Sequence, residues 1–204
     1  MGPATYQSGF SPRDGSPAFP ELWRSNLFLL SPGLGPSGSV VRDNGPTKRL
    51  LTIAGTGTLY APIGRRYALS LDGNGRASSG TGFQNAIGTG DFTSAVWVRP
   101  TTIGISWQNT FGLNNGPTYG MYQDGSGGQW CLWVGTRIDS GVTLTVGVWT
   151  HLCAVRRSGT VYLYTNGRQT ASAAMSLSIP STFTLIVGSE SSGSQTAAMR
   201  GALD

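Results

Sequence analysis

The sequence predicts an all-β fold, a sandwich of two antiparallel sheets, and three observations support this. Gly, Ser and Thr make up 76 of the 204 residues, charged residues only 11%, and hydrophobic residues 38%. The hydrophobic residues occur in short runs between clusters of small residues, a pattern typical of many strands joined by many turns. A chain of this length fits one domain of ordinary size.

Seven segments have the alternating or continuous apolar pattern of strands. They are Tyr67–Leu71, Phe92–Val98, Gln129–Val134, Thr143–Val146, Thr150–Arg156, Val161–Thr165 and Thr182–Val187. The best helical stretch, around 171–177, is interrupted by Ser residues and followed by Pro180. The clearest local signal is Asn166-Gly167, because both residues tolerate the positive φ angles of a type I′ turn. We therefore expect a tight hairpin at this dipeptide.

Residues 1–22 differ from the rest of the chain because they contain four prolines among Gly and Ser. Proline fixes φ and lacks a backbone donor, so this segment is predicted to be an extended arm preceding a domain at 23–204. It is either a disordered leader or an arm whose aromatic residues, Tyr6, Phe10 and Phe19, dock on a neighbouring surface. The first residues do not resemble a signal peptide.

The charge distribution argues against nucleic-acid and membrane partners. The formal net charge is +5, but the basic residues are scattered rather than concentrated as in a nucleic-acid-binding surface. The longest apolar stretch near the start, Leu27–Leu30, is far too short to span a bilayer. Cys131 and Cys153 both lie in strand-like runs, where we expect buried free thiols, or one bridge if the two strands pair.

The residues that usually carry out catalysis are scarce, so we expect no enzyme activity. The single histidine, His151, lies in an apolar strand-like run, where a structural role is the more common one. Glycosidases need two carboxylates about 5–10 Å apart. The chain has only two glutamates, Glu21 and Glu190, and no predicted strand carries two carboxylates two or four residues apart.

Three aromatic residues are candidates for ligand binding: Trp107, Tyr119 and Tyr122. They lie in loop-like segments, where an aromatic side chain can form a surface on which a sugar stacks. Trp130 and Trp133 have opposite parity on one predicted strand, so at most one of them can join such a surface.

Asp72, Asn74 and Asp204 are candidate calcium ligands, because Ca²⁺ takes oxygen ligands from Asp, Asn and backbone carbonyls. The alternative for Asp72-Gly73 is an ordinary turn after the strand that ends at Leu71. No other cofactor is expected.

Five segments, taken in order and spacing, resemble the laminin-G-like jelly-roll module of the concanavalin A-like lectin/glucanase superfamily. They are 67–73 (YALSLDG), 91–100 (DFTSAVWVRP), 147–155 (GVWTHLCAV), 161–167 (VYLYTNG) and 185–188 (LIVG), and the resemblance covers about residues 60–204. It implies a two-sheet antiparallel jelly-roll sandwich that binds glycans or proteins and in some members holds calcium.

The sequence departs from the family pattern at two places. Residues 74–76 (NGR) stand where further acidic residues are usual, which argues against inherited calcium binding. The family usually continues past the motif at 201–204 into a final strand, so the resemblance implies a missing strand and an unpaired sheet edge. Such an edge invites strand addition by the arm or by a neighbouring subunit.

These features predict a non-catalytic structural and binding module of a larger assembly. The leading interpretation is a virion-surface protein, such as a phage capsid decoration or fibre subunit, whose partners are copies of itself or a capsid lattice. It is motivated by the single module, the arm, the incomplete edge and the lack of a secretion signal. The alternative is a lectin-like carbohydrate-binding module of a secreted bacterial protein, acting outside the cell on a glycan.

Overall fold

The computed structural model describes residues 40–42, 50–55, 58–63, 66–79, 83–84, 87–105, 107–114, 117–180, 182–189 and 198–204. The predicted arm, with Tyr6, Phe10 and Phe19, and its boundary at residue 22 lie outside these residues. Within the described part of the chain the secondary structure is entirely β, and no helix there is long and apolar enough to cross a membrane.

The described residues form sixteen strands. They are β1 Val40–Arg42, β2 Leu50–Ala54, β3 Thr58–Ile63, β4 Arg66–Asp72, β5 Arg76–Ser78, β6 Phe83–Gln84, β7 Phe92–Pro100, β8 Gln108–Asn114, β9 Pro117–Gln123, β10 Gln129–Trp133, β11 Arg137–Thr143, β12 Thr150–Arg157, β13 Thr160–Thr165, β14 Arg168–Ala174, β15 Thr182–Val187 and β16 Arg200–Leu203.

The strands pair into two antiparallel sheets that pack face to face. The nine-stranded sheet has the order β1-β2-β5-β15-β8-β9-β10-β11, with β6 added to β15, and the seven-stranded sheet has the order β14-β13-β12-β7-β16-β4-β3. The predicted two-sheet antiparallel jelly-roll sandwich is therefore confirmed.

The core lies between the two sheets, and alternation along each strand decides which side chains enter it. On β12, residues from Thr150 to Arg156 alternate between buried and half-buried, as expected of a strand with one face in the core. The largest fully buried side chains come from both sheets: Trp130, Phe183, Leu51, Leu69, Met121, Leu132, Leu144, Leu152, Leu163, Ile179 and Leu185.

The hairpin predicted at Asn166-Gly167 is confirmed. Asn166 has φ 50° and Gly167 has φ 80°, and Thr165 pairs directly with Arg168 across the turn from β13 to β14. The positive φ at both central residues matches the right-handed twist of the two strands, which is why this dipeptide was a reliable local signal.

Two local predictions were wrong in the nine-stranded sheet. The strand predicted at Thr143–Val146 actually runs over Arg137–Thr143, and 117–123, expected to be loop-like, forms β9. Strand β11 is the outermost member of its sheet among the described residues, and its inward positions are Ile138, Ser140 and Val142, so a polar residue interrupts the apolar ones. Its apolar pattern is therefore too weak to detect, and Pro117 and Gly120 obscure β9 in the same way.

A strand missing after the motif at 201–204 stays a prediction, but the motif itself does not lie at a sheet edge. Residues Arg200–Leu203 form β16, which pairs with β4 on one side and β7 on the other. The outermost described strands of this sheet are β3 and β14. Residues 200–203 thus lie inside the sheet, between two other strands.

The two cysteines are free thiols, which was one of the two expectations, the other being a disulfide bridge. Cys131 lies on β10 of the nine-stranded sheet and is buried, whereas Cys153 lies on β12 of the seven-stranded sheet and is half-buried. The strands that carry them do not pair, so the condition for a bridge is not met.

A buried hydrogen bond joins the two sheets near one end of the sandwich. The indole Nε1 of Trp130, on β10, donates to Thr165 Oγ1, on β13, at 2.8 Å. Both side chains are buried, so each would leave an unsatisfied polar atom if the other were removed.

We predict that Trp130→Phe lowers the free energy of unfolding by about 1–3 kcal/mol, because it removes the donor and leaves the Thr165 hydroxyl unpaired in the core. Urea denaturation followed by far-UV circular dichroism measures this loss. Adding Thr165→Val to the Phe variant should restore part of it, since both polar partners are then gone. Equal losses in the single and double variants would contradict this interpretation.

Candidate functional site

Trp107 and Tyr122, two of the three predicted ligand-binding residues, meet on the outer face of the nine-stranded sheet. Trp107 directly precedes β8 and Tyr122 lies on β9. Their rings are arranged edge to face, with centroids 6.2 Å apart and an interplanar angle of 82°. The Trp107 side chain is 39% exposed, so it keeps indole surface for a ligand.

The third predicted residue, Tyr119, is not part of this surface, and that prediction was wrong. It lies on β9 with opposite parity to Tyr122, so it points into the core and is only 4% exposed. Its ring packs edge to face on Phe92 at 5.3 Å, and its hydroxyl hydrogen-bonds with Ser94. Burial raises the pKa of this hydroxyl well above its usual value.

Two cross-strand rows form the outer face beside Trp107. In the first row Tyr122 of β9, Cys131 of β10 and Asp139 of β11 pair in register. In the second row Gly120, Trp133 and Arg137 pair in the same way. Residues two apart on a strand share a face, so both rows lie on the same side of the sheet.

Trp133 is the indole of β10 that joins this face, as the opposite parity of Trp130 and Trp133 predicted. Trp133 is half-buried, whereas Trp130 is fully buried in the core. Among the described residues, the outer face therefore carries the aromatic side chains of Trp107, Tyr122 and Trp133.

Arg137 is the central charged residue of the site, and the sequence analysis did not identify it. Its guanidinium carbon lies 5.0 Å from the centroid of the Trp107 ring, a cation–π arrangement. Its Nε donates to Asp139 Oδ1 at 2.5 Å, and its Nη2 donates to Asp124 Oδ2. The alternation Arg137-x-Asp139 would have signalled this pair had β11 been recognised as a strand.

Asp124, the second carboxylate that binds Arg137, lies in the turn between β9 and β10. Its Oδ1 accepts hydrogen bonds from the Ser126 backbone N–H at 2.5 Å and from Ser126 Oγ at 2.6 Å. These bonds from Ser126, together with Arg137, lower the pKa of Asp124 from 3.8 to about 2. The group is therefore a carboxylate at any physiological pH.

Gly120 and Cys131 form the floor under the aromatic side chains. The Tyr122 ring lies directly over Gly120, because a Cβ added there would be 2.5 Å from Tyr122 Cε2. Cys131 is fully buried between Tyr122 and Asp139, and burial raises its pKa to about 12. It is thus a protonated, packed thiol rather than a reactive one.

Buried amides fix the segment that leads to Trp107. The backbone carbonyl of Thr102 accepts hydrogen bonds from Gln108 Nε2 at 3.1 Å and from Gln123 Nε2 at 3.2 Å. Both glutamine side chains are fully buried, so their hydrogen bonds hold Thr102, which lies between β7 and Trp107, against β8 and β9. The position of Trp107 is consequently set by these two strands.

The three candidate calcium ligands do not come together. Asp72 Oδ1 accepts the backbone N–H of Asn74 at 2.8 Å, which is the turn alternative, and Arg200 lies against Gly73 beside it. Asp204 follows the far end of β16, where its backbone pairs with Trp97. Within the described residues no three His, Cys, Asp or Glu side chains are grouped to hold a metal. These residues do not fit a calcium site, and calcium dependence of binding stays a prediction.

The outer face of the seven-stranded sheet carries a different aromatic pair. Trp97 is 45% exposed, and its ring lies 5.1 Å from that of His151, which pairs with it across β7 and β12. Burial lowers the pKa of His151. This exposed Trp97 is on the opposite side of the sandwich from Trp107, which makes it a matched comparison for substitutions.

Comparison with known proteins agrees with the two-sheet architecture. Residues 71–204 match the Laminin_G_3 family model, which is described as concanavalin A-like lectin/glucanases superfamily. No curated protein matches the chain.

Several solved structures have a similar fold at low sequence identity. Domain 4 of AbnA, an extracellular GH43 arabinanase from Geobacillus stearothermophilus solved with arabinotriose, is 16% identical with a TM-score of 0.63, covering 87% of this chain and 89% of that one. Trypanosoma rangeli sialidase in complex with sialic acid is 16% identical with a TM-score of 0.61, covering 86% of this chain and 29% of the sialidase. The binding domain of botulinum neurotoxin DC in complex with rat synaptotagmin II is 11% identical with a TM-score of 0.57, covering 86% and 45%.

The hydrogen bonds from Ser126 to Asp124, together with its ion pair to Arg137, predict a specific pH dependence of stability. A lowered carboxyl pKa adds stability that is complete above the unfolded value of about 4 and is lost as the pH falls to about 2. Asp124→Asn should therefore be less stable than the unsubstituted protein at neutral pH, and the difference should close between about pH 4 and pH 2. Urea denaturation across this range measures it.

Asp72→Asn is the control for this experiment, because it makes the same change in net charge and can keep the hydrogen bond from Asn74. A difference between Asp124→Asn and the unsubstituted protein that is as large at about pH 2 as at neutral pH would contradict the prediction.

Proposed function

The chain belongs to the Laminin_G_3 family of the concanavalin A-like lectin/glucanase superfamily, and from this membership we propose that it is a carbohydrate-binding module without catalytic activity. The observation that carries the proposal is the exposed Trp107 ring, held by Tyr122 and Arg137 beside the carboxylate of Asp139. A sugar ring stacks its apolar face on the exposed indole while its hydroxyls meet the charged pair.

The polar groups beside Trp107 suit a polyhydroxylated ligand. A sugar hydroxyl both donates and accepts hydrogen bonds, and the site offers carboxylate acceptors and a guanidinium donor within one cluster. Two of the solved structures with this fold are complexes with arabinotriose and sialic acid. Those ligands belong to those proteins, and they support the saccharide class for this chain.

The carboxylates of the site argue for binding rather than hydrolysis. A glycosidase needs one carboxyl whose pKa is raised so that it can protonate the leaving oxygen. The pKa of Asp124 is lowered to about 2, and both Asp124 and Asp139 are bound to Arg137. The absence of catalysis is part of the proposal.

A second candidate function is the structural role in an assembly that the sequence favoured. An exposed apolar surface favours this role, and it consists of the side chains of Trp97, Val146 and Val148. The two valines lie near the strand that carries Trp97, because Gly147 between them is hydrogen-bonded to Arg99 and Pro100 of that strand. A protein of the same fold has been solved with a protein partner, synaptotagmin II. A location at the virion surface, or alternatively outside the cell, stays a prediction. The docking of the arm residues Tyr6, Phe10 and Phe19 also stays a prediction.

We predict that Trp107→Ala weakens binding to oligosaccharides by about tenfold or more, because it removes the stacking surface at the centre of the site. A glycan array first identifies ligands, including arabino-oligosaccharides, and isothermal titration calorimetry then measures affinity with and without EDTA. Silence of the unsubstituted protein on the array, in both conditions, would overturn the proposal.

Trp97→Ala is the matched control, since it removes an exposed indole from the opposite face and should leave the affinity within about twofold. Gly120→Ala is a second test of the site, because the new Cβ displaces the Tyr122 ring without removing it. We expect it to weaken binding as well. Equal losses in the Trp97 and Trp107 variants would show that the site lies elsewhere.

The assembly role predicts self-association through the seven-stranded sheet. Sedimentation velocity of the complete chain should show a species larger than a monomer, and Trp97→Asp should shift it to the monomer by placing a charge in the apolar contact. A monomer at all concentrations would contradict this second function.

A further inference from the structure

We infer that the Trp107 site selects uncharged saccharides and disfavours acidic ones, although the chain carries a net charge of +5. The inference rests on the proposed carbohydrate binding and adds to it the chemical class of the ligand. It follows from the arrangement of the charged groups and their hydrogen bonds around Trp107.

The local charge at the site is opposite in sign to that of the chain. Among the described residues, the charged groups that interact at the site are the Arg137 guanidinium, next to the Trp107 ring, and the carboxylates of Asp124 and Asp139, which are bound to Arg137. Their sum is negative by one charge. An acidic sugar placed on Trp107 would therefore bring its carboxylate towards two others and one balancing cation.

One of the two edges of the Arg137 guanidinium is already used by carboxylates of its own chain. Sites that recognise acidic ligands use the flat edge of an arginine to form two parallel hydrogen bonds with one carboxylate. Here Nε and Nη2, the two nitrogens of one such edge, donate to Asp139 and Asp124. The guanidinium also lies over the Trp107 ring, which further restricts how a ligand can approach it.

The free acceptor capacity favours hydroxyl groups. The Asp139 side chain is 49% exposed, and a carboxylate has room for several hydrogen bonds beyond the one it accepts from Arg137. A neutral sugar supplies hydroxyl donors to these lone pairs, whereas a sugar carboxylate supplies none. Asp124 remains ionised, because Ser126 and Arg137 stabilise its charged form, so the negative charge persists at physiological pH.

The size of the discrimination follows from Coulomb's law. One unit of charge at about 6 Å in water changes an affinity by about threefold, and more where the ligand excludes water. Because this effect is screened by salt, it should shrink between low ionic strength and about 0.5 M salt. The expected preference is thus moderate and dependent on ionic strength.

Galacturonan oligosaccharides and their methyl esters test this inference directly, because the two share the same sugar backbone and differ in the charge of the carboxyl group and one methyl group; the salt dependence isolates the effect of the charge. Both are titrated together with neutral arabino-, xylo- and gluco-oligosaccharides at low and high salt, and Trp107→Ala identifies binding at the site. We expect the ester to bind at least about threefold more tightly than the acid at low salt, with a smaller difference at high salt.

Asp139→Asn removes one negative charge from the site, and Asp72→Asn makes the same change in net charge on the other sheet. The ratio of acid to ester affinity should rise about threefold in the Asp139 variant and stay unchanged in the Asp72 variant. The salt dependence of the unsubstituted protein provides a second measurement that needs no variant.

Three outcomes separate this inference from the proposed function. Preference for the ester that depends on Trp107 and weakens with salt supports both. Trp107-dependent binding of the acid as tight as that of the ester overturns the inference and leaves carbohydrate binding standing. If no saccharide of either kind binds, carbohydrate binding fails, and the inference fails with it.

Discussion

The pairing of β16 between β4 and β7 is the constraint on which the rest of the structure depends. Residues Arg200–Leu203 are hydrogen-bonded to Leu69–Asp72 on one side and to Val98–Pro100 on the other. Without this strand the β3–β4 hairpin would have no link to β7, β12, β13 and β14 within the seven-stranded sheet. Its partners are about a hundred residues or more away along the chain, so this pairing has a large entropy cost of loop closure. Burial of side chains in the completed core must offset that cost.

The candidate site inherits its geometry from that pairing. The backbone N–H of Arg200 donates to Gln108 Oε1 at 2.7 Å, and Gln108 Nε2 in turn donates to Thr102. Trp107 is the residue directly before Gln108, so the central strand of one sheet helps to position the exposed indole on the other. A binding surface held this way is preorganised, which reduces the entropy lost when a ligand is ordered on it.

The two outer faces of the sandwich have different chemistry, and each suits one of the two functions. The face at Trp107 combines an exposed aromatic ring with an ion pair, which suits a ligand that has an apolar side and many hydroxyls. The side of the sandwich at Trp97 combines an exposed indole with the exposed Val146 and Val148, which suits a protein surface. The two proposed functions would therefore use separate surfaces and would not compete for the same residues.

The sequence by itself determined the all-β class, the Asn166-Gly167 hairpin and the opposite orientations of Trp130 and Trp133, because composition, turn chemistry and strand parity are local properties. Only the tertiary structure decided that Tyr119 enters the core, since Pro117 and Gly120 hide the strand that carries it. Likewise, it alone brought Arg137 over Trp107, brought the two carboxylates to Arg137 and placed β16 inside a sheet. These features depend on which strands pair and in which register, and that choice is made by long-range burial that no local pattern records.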